Sequence, residues 1–370
     1  MTKTNYKIIA DCKGMYEQEI VDIILENRGI EDVEHFLNPQ EDDLLPLDSL
    51  AKIDNARQIV EEGIDSNKSF GVFFDVDTDG VSSGTIMTRY LKHYTNRVST
   101  YINIGKAHGL IGQDLEQFNN VDILIIVDSL DKNTSQYEEL YNRGVQIIVL
   151  DHHAIDSNAN YDKYVTLVSS QREYDNPNLS GAGVVWKFCK YLDEYFMNDY
   201  ADEYVDLAAC GILADVCDVS EDSKENRYIV SEGLKNLKNP AVKKIVGSYE
   251  FNSKAILFSV APLINACCRI GRNNIAMQLF LSDENKEVLA LKKQLEECKE
   301  IQASELERIL PSVYEDFDSQ NGEVLYTFID TEYGIGGVIG NKCLEIYNKP
   351  MFILKDCDNK YCGSMRSVGY

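Results

Sequence analysis

The sequence has few prolines, no long apolar segment and no leader-like N-terminus. Only 7 of its 370 residues are proline, and 26% are charged, which is typical of a folded chain rather than a disordered one. No apolar run approaches the ~18 residues of a membrane span, and the opening Met-Thr-Lys-Thr-Asn lacks the apolar core of a signal peptide. We therefore expect neither a membrane protein nor a secreted one. At ~150 residues per domain the length favours two domains.

Paired cysteine motifs are also absent. Ten cysteines are scattered along the chain without a Cys-x-x-Cys pair, which excludes the common zinc frameworks. This usage predicts reduced thiols and a cytoplasmic location.

Basic residues are scarce, because 36 Lys and Arg stand against 61 Asp and Glu and give a net charge of −25. Nucleic-acid-binding proteins usually carry a basic surplus. Two stretches differ: residues 251–282 contain no acidic residue, and residues 341–370 are slightly basic. Such a protein can still hold a polyanion when bound cations neutralise its carboxylates, and solvated surface charge is the alternative explanation.

Three short, nearly continuous apolar runs suggest buried strands. They are Phe70–Asp75, Asp122–Asp128 and Val145–Asp151, with a further strand expected at Val98–Ile104. Helical patterns near Gly84–Tyr94 and Gln136–Asn142 alternate with them. Strands that are apolar on both faces and alternate with helices predict an α/β fold with a parallel sheet.

The remaining pattern predicts two further regions. Residues 180–239 are mostly helical, and Asp283–Leu310 predicts a long charged helix that ends at Pro311. Residues 318–370 then predict a small α/β unit with a glycine-rich turn and a strand at Met351–Leu354. We predict a larger domain over 1–282 with a helical lead-in, an interdomain helix over 283–312, and a smaller domain over 313–370.

Each apolar run ends in carboxylates. The carboxylates are Asp75, Asp77 and Asp79 after the first run, Asp128 after the second and Asp151 after the third, where the imidazoles of His152 and His153 follow. The carboxyl ends of parallel strands lie along one edge of a sheet, where α/β folds place their sites. Crowded carboxylates repel one another unless cations neutralise them. Oxygen ligands with one or two imidazoles suit manganese or magnesium better than zinc.

The segment Asp75–Gly80 also invites comparison with a calcium-binding EF-hand loop. That loop requires a bidentate glutamate at position twelve and a helix before it. Position twelve here is Ile86, and a strand precedes the segment, so we reject the EF-hand.

Together these motifs resemble the DHH phosphoesterase superfamily, and within it the RecJ-type single-strand exonucleases. The resemblance extends over nearly the whole chain. Its further motifs are His35–Pro39, Ser180–Val185, Gly211–Val216, Ala261–Arg269 and Gly363–Ser367. It implies a parallel-sheet DHH domain that a long helix joins to a partial DHH-associated domain. The glycine-histidine motif and the OB-type domain of large bacterial RecJ proteins do not follow Arg366.

The resemblance also implies a site with two divalent cations, manganese preferred or magnesium. Its metal ligands would be Asp75, Asp77, Asp79, Asp128, His152 and Asp215, with Asp128 bridging the cations. His153 would face the scissile phosphate, and Asp151 would orient an imidazole. Its substrate contacts would be Asn265, Arg269, Arg366, Ser364, Ser367, Lys106 and His108. Lys106 and His108 stand where the family usually has an arginine and a tyrosine.

The function that this resemblance implies is metal-dependent cleavage of phosphodiesters, releasing nucleotides from the 5′ end of single-stranded DNA. The first alternative is a phosphodiesterase for short oligonucleotides or cyclic dinucleotides. The second is an inactive scaffold in replication or repair. The short C-terminal region leaves three explanations open: a compact variant, a fragment, or a chain whose missing domains a partner protein supplies.

Overall fold

The computed structural model describes Ala10 and residues 13–104, 108–357 and 360–368. Its larger sheet contains five parallel strands in the order β2-β1-β3-β4-β5. They are β1 (Phe70–Phe74), β2 (Val98–Ile102), β3 (Ile123–Val127), β4 (Gln146–Asp151) and β5 (Thr166–Ser169). The predicted α/β class is therefore confirmed, and β5 is a strand that the sequence pattern did not predict.

Helices connect and cover the strands. The helices are α1 (Glu17–Glu26), α2 (Val33–Leu37), α3 (Ile53–Asp65), α4 (Thr78–Lys92), α5 (Ser135–Asn142), α6 (Gly181–Phe196), α7 (Val205–Ala214), α8 (Lys224–Lys235), α9 (Pro240–Val246), α10 (Ser253–Ala255), α11 (Ala261–Arg269), α12 (Asn273–Leu281), α13 (Asn285–Asp318) and α14 (Gly336–Tyr347). A π-helix, Ile256–Val260, separates α10 from α11.

The strands are apolar on both faces because each face of the sheet is covered. Val72 and Ile125 belong to a core cluster that also contains residues of α3, α4, α6 and α7. Phe73 and Ile126 point to the opposite face, where they join Tyr137 of α5 in a second cluster. This alternation is that of a buried parallel strand between two helical layers.

The strand order reverses between β1 and β3. The chain passes from β1 through α4 to β2 on one side, and then returns to place β3 on the other side of β1. At such a switch point the two connections diverge and leave a crevice beyond the carboxyl ends of the strands. Asp75 and Asp128 directly follow β1 and β3, so both lie at this crevice.

A second sheet has the order β6-β7-β8 and packs against α13 and α14. Its strands are β6 (Leu325–Phe328), β7 (Met351–Cys357) and β8 (Lys360–Arg366). The predicted end of the long helix at Pro311 is wrong, because α13 continues to Asp318. Val313 and Phe317 lie beyond the proline and are buried in the core of the second sheet. This packing stabilises the last turns although proline cannot donate a helical hydrogen bond.

The structure also bears on the oxidation state of the cysteines and on membrane-spanning segments. Cys357 and Cys362 form a disulfide between β7 and β8, so the expectation that all cysteines are reduced is wrong for this pair. In the described ranges, no helix is both long and apolar enough to cross a bilayer.

Candidate metal centre and substrate cavity

The loop between β1 and α4 carries three carboxylates, those of Asp75, Asp77 and Asp79. Asp77 begins the helix, because its side chain accepts a hydrogen bond of 2.9 Å from the backbone N–H of Gly80. The turn requires glycine at position 80, since a Cβ there would lie 2.7 Å from the carbonyl carbon of Asp75. The local fold therefore holds the three acidic side chains in a single tight turn.

Asn265 fixes this acidic loop from α11. Its Oδ1 accepts hydrogen bonds from the backbone N–H of Thr78 at 3.2 Å and from the Thr78 hydroxyl at 2.9 Å. The family resemblance implies that Asn265 contacts the substrate. The structure adds a positioning role, because the residue ties α11 to the loop that carries Asp77.

Asp128 follows β3 with a positive φ of 54°, in the left-handed region that Asp and Asn tolerate better than most residues. The backbone N–H of Asp128 donates to the carbonyl of Leu150 at 2.9 Å, which fixes the turn. The carboxylate is only 1% exposed, and its Oδ1 has no hydrogen-bond partner within the described chain. A buried carboxylate needs a proton or a positive charge beside it, and one nitrogen lies close to this oxygen, Nε2 of His152 at 3.1 Å.

Asp79 lies at the N-terminus of α6. Its two carboxylate oxygens accept hydrogen bonds from the backbone N–H groups of Gly181 at 2.8 Å and Ala182 at 2.9 Å. A helix N-terminus favours a negative charge because its first N–H groups have no helical partner. The glycine-rich segment that begins at Ser180 thus serves to orient Asp79.

His152 lies among three carboxylates. Its Nε2 is 3.1 Å from Oδ1 of Asp128, 3.5 Å from Oδ2 of Asp215 and 3.7 Å from Oδ2 of Asp79. The structure therefore brings together residues from four separate segments of the chain. An imidazole in this position can share a cation with the carboxylates or pair with them when protonated.

His153 makes a separate contact with Asp151. Its Nδ1 is 3.1 Å from Oδ1 of Asp151, whose Oδ2 accepts a hydrogen bond of 2.8 Å from the backbone N–H of Leu130. Asp151 is therefore engaged through both oxygens. Burial alone would lower the pKa of His153, but Asp151 and the other nearby carboxylates outweigh it and raise this pKa to about 9.

His108 brings a third imidazole to the same edge. Its Nδ1 is 2.9 Å from Oδ2 of Asp75, and its ring centroid is 4.3 Å from that of His153. The close contact with Asp75 raises the pKa of His108, against the opposing effect of burial. Its predicted partner Lys106 lies outside the described residues.

Asp215 and Cys217 follow the end of α7. The donor atoms of His152, Asp215 and Cys217 all lie within 4.8 Å of one another. No pattern in the sequence indicates that Cys217 lies at this site. The direction of its side chain depends on the positive φ of 54° at Val216, which the sequence does not reveal. The spacing of two residues from Asp215 is the only signal that could have drawn attention to it.

Charge repulsion at the site favours a cation. Burial, followed by the charges of Asp75 and Asp79, raises the pKa of Asp77 to about 7. Burial and the neighbouring carboxylates raise the pKa of Asp128 well above its ordinary value. Three groups of residues have donor atoms within 4.8 Å of one another. The first is Asp75, Asp77 and Asp128, the second is Asp128, His152 and His153, and the third is His152, Asp215 and Cys217. These oxygen-rich donors and the burial of the Asp128 carboxylate fit bound divalent cations.

Two glycines leave room for these candidate ligands. A Cβ on Gly181 would lie 2.6 Å from Oδ1 of Asp128, and a Cβ on Gly211 would lie 2.0 Å from Oδ1 of Asp79. We expect Gly181→Ala to weaken Mn²⁺ binding about 10–100-fold, because it displaces a carboxylate without removing any ligand. Calorimetric titration of the folded variant measures this loss.

Gly336→Ala provides the matched control for this experiment. A Cβ on Gly336 would meet its nearest atom at 3.5 Å, an ordinary contact, so this variant should bind Mn²⁺ as the wild type does. Wild-type affinity in a folded Gly181→Ala protein would contradict the assignment of Asp128 as a ligand.

A cavity of about 550 Å³ lies between the acidic loop and the second sheet. Its polar lining includes Asp77, Asn265, Arg269 and Ser364, whereas Tyr333 and Ile353 contribute apolar surface. Within the described chain, the Arg269 guanidinium forms no hydrogen bond or ion pair with another side chain. Burial lowers the pKa of Arg269 although Cys268 and Asp77 oppose this effect. A half-buried, unpaired cation beside a cavity is suited to bind an anion.

The other predicted substrate residues lie at or beyond the rim. Arg366 donates to Oδ1 of Asn341 and to the carbonyl of Met365, and its charge contributes to the lowered pKa of Arg269. Ser367 donates its hydroxyl to the carbonyl of Val368. Neither Arg366 nor Ser367 lines the cavity, in contrast to Ser364.

Residues 69–212 match the model of the DHH family, N-terminal domain. The chain is 29% identical over 392 aligned positions to YorK of Bacillus subtilis, which is named as an SPbeta prophage-derived single-strand DNA-specific exonuclease. The alignment covers 96% of this chain and 66% of YorK. It is 27% identical to the single-stranded-DNA-specific exonuclease RecJ of Thermus thermophilus, covering 84% of this chain and 47% of RecJ. The chain thus spans from about half to about two thirds of these relatives.

Solved structures show the same fold. A crystal structure of exonuclease RecJ bound to manganese superposes with a TM-score of 0.75 at 26% identity, covering 88% of this chain and 84% of that one. RecJ of Thermus thermophilus in complex with Mn²⁺ gives a TM-score of 0.79 at 24% identity, covering 93% of this chain and 51% of that one. The family match, the relatives and the shared fold agree: residues 69–212 are similar to the DHH N-terminal domain, and the chain as a whole is similar to exonucleases of the RecJ type.

Proposed function

We propose that this protein hydrolyses phosphodiesters with bound divalent cations, and that it releases nucleotides from the 5′ end of single-stranded DNA. The observation that carries this proposal is the convergence of Asp77, Asp128 and His152 beside a cavity that contains the unpaired Arg269. Relatives named as single-strand DNA-specific exonucleases support the substrate class.

The ligands form two groups that share a carboxylate. Asp75, Asp77 and Asp128 would hold one cation, and Asp79, Asp128, His152 and Asp215 would hold the other. Two such cations, manganese or magnesium, supply an activated water and stabilise the attacking and leaving oxygens of an in-line displacement. Asp128 is suited to the shared position because it belongs to two of the candidate ligand groups and its Oδ1 lies 3.1 Å from Nε2 of His152.

The chain's own residues would position the phosphate. His153 borders the metal ligands and is oriented by Asp151, so it would face the scissile phosphate and exchange a proton with it. Arg269 would hold that phosphate or the next one, and Ser364 would contact the strand from the opposite side of the cavity. We propose that residues 313–370 thereby form a substrate-binding domain across the groove from residues 1–282.

The test of this function compares three substrates: a long single strand, a trinucleotide and a cyclic dinucleotide, each with manganese or with a chelator. The proposal expects cation-dependent release of mononucleotides from the 5′ end of the long strand. Preference for either short substrate would favour the alternative phosphodiesterase. Absence of cleavage of all three by a cation-loaded protein would favour the inactive scaffold.

The proposed path of the single-stranded DNA gives a separate prediction about the salt dependence of binding. Arg366 lies on β8, two residues after Ser364, which lines the same cavity as Arg269, so the two guanidinium groups would contact neighbouring phosphates. Arg366→Ala should weaken binding of a long single strand and reduce the log–log salt slope by about 0.7, because one fewer counterion is released. Fluorescence titration at several salt concentrations measures this slope.

Lys342→Ala is the matched control, because it removes the same charge from an exposed position on α14 outside the cavity. Its slope should stay close to that of the wild type. Equal slopes for wild type and Arg366→Ala would mean that the strand does not pass Arg366.

A further inference from the structure

A thiol lies beside the candidate metal centre, in a site otherwise built from carboxylates and imidazoles. The Sγ of Cys217 lies within 4.8 Å of a donor nitrogen of His152 and of a carboxylate oxygen of Asp215. Cys217 is half-buried and is not part of a disulfide. The chemistry proposed above makes no use of this thiol, because hard cations prefer oxygen donors.

The backbone after α7 explains how Cys217 reaches the site. The N–H of Val216 donates to the carbonyl of Leu213 at 3.1 Å, and the N–H of Cys217 donates to the carbonyl of Ile212 at 3.0 Å. These two bonds form a Schellman motif, whose left-handed position is usually occupied by glycine. Here Val216 holds that position with a φ of 54°, although a β-branched residue is disfavoured there. The resulting turn reverses the chain and places Cys217 next to Asp215.

A second observation points to a cation at the same place. Asp128 is 1% exposed, and its Oδ1 lies 3.1 Å from Nε2 of His152 without the geometry of a hydrogen bond, an arrangement that two ligands of one cation adopt. A cation that contacts this oxygen and the imidazole therefore lies next to the group that contains Cys217. Nitrogen, oxygen and sulfur donors from these residues make up a ligand set typical of four-coordinate zinc.

We propose that this centre also binds a thiophilic divalent cation of the zinc type, with Cys217 as a ligand together with His152 and Asp215. Coordination would release the thiol proton to solvent and form a sulfur–metal bond, with no change of oxidation state. Such a cation would compete with manganese or magnesium for His152, so that zinc acts as an inhibitor. This inference rests on the metal centre of the proposed function, but not on its substrate.

Cobalt(II) tests the coordination directly, because a thiolate ligand gives it a charge-transfer band in the near ultraviolet. The band is expected in the wild type and absent in Cys217→Ser. Cys268→Ser is the matched control, because Cys268 is also half-buried and lines the neighbouring cavity but belongs to no ligand group. It should retain the band. Zinc affinity should fall at least about tenfold in Cys217→Ser, whereas manganese affinity should remain within about twofold.

Alkylation of the wild-type protein gives a second test that does not depend on the folding of a variant. Zinc should protect Cys217 from a thiol reagent, as located by peptide mass spectrometry, whereas magnesium should not. A band that persists in folded Cys217→Ser, or equal alkylation with zinc and magnesium, would overturn the role of Cys217. If instead the wild type binds neither manganese nor cobalt, the metal centre of the proposed function itself fails.

Discussion

Replacement of Asp128 by asparagine is expected to reduce cleavage on the order of 10³-fold, as for loss of a central electrostatic group. Asp128 belongs to two of the three ligand groups, so the substitution weakens both cation positions together. Asparagine preserves the shape of the side chain and tolerates the positive φ at this position. Single-turnover cleavage at saturating manganese, with calorimetry of manganese binding, measures the two effects.

The same substitution should leave the metal-free protein at least as stable as the wild type. Burial raises the pKa of Asp128, so its ionised form opposes folding at neutral pH. The penalty is absent below the ordinary carboxyl pKa of about 4 and grows as the pH rises. Asp77, with a pKa of about 7, behaves in the same way. Thermal melts in chelator should therefore show wild-type stability falling between about pH 4 and 7, and falling less in Asp128→Asn.

The outcome of these two measurements separates catalysis from folding. A well-folded Asp128→Asn protein with near-normal turnover would contradict the shared-ligand mechanism. A loss of turnover together with a lower melting temperature in chelator would instead indicate that Asp128 stabilises the fold.

The strand-end carboxylates were predictable because two simple patterns agree. Apolar runs such as Phe70–Phe74 predict buried parallel strands, and parallel strands bring Asp75 and Asp128 to one edge. Asp215 is different, because it follows a helix and its place near His152 depends on the packing of α7 against α4 and α6. Only the family resemblance identified it in advance.

Features that depend on backbone conformation or on distant contacts could not be predicted in this way. The direction of the Cys217 side chain depends on the left-handed backbone conformation of Val216, which valine normally disfavours. The continuation of α13 past Pro311 depends on burial of Phe317 in the second core. At Pro311 tertiary packing outweighs the local preference of the residue, whereas at Val216 the backbone hydrogen bonds that end α7 do so.

Replacement of His153 is expected to cause the second large loss of turnover. His153→Gln should lower the turnover number about 10²–10³-fold while leaving manganese affinity nearly unchanged, because the proposed role is proton exchange rather than metal binding. His93→Gln is the control, because this exposed histidine contacts Tyr200 and Tyr204 away from the carboxylates. It should retain wild-type turnover.

The partner of His153 supplies an independent test of the same role. Asp151 helps raise the pKa of His153 to about 9, so Asp151→Asn should lower that pKa toward the ordinary 6.5 in the metal-free protein. The ion pair stabilises the fold fully below about pH 6.5, and this contribution is lost as the pH rises through 9. Titration of the imidazole by NMR measures the shift directly.

Comparison of His153→Gln with Asp151→Asn then distinguishes two roles of His153, metal ligand and proton-exchanging group, both of which are compatible with the geometry. His153 also belongs to a ligand group with Asp128 and His152. If His153→Gln lowers manganese affinity in parallel with turnover, the imidazole is a metal ligand. If turnover falls alone, and Asp151→Asn lowers turnover while it lowers the imidazole pKa, then His153 acts on the phosphate and Asp151 sets its charge.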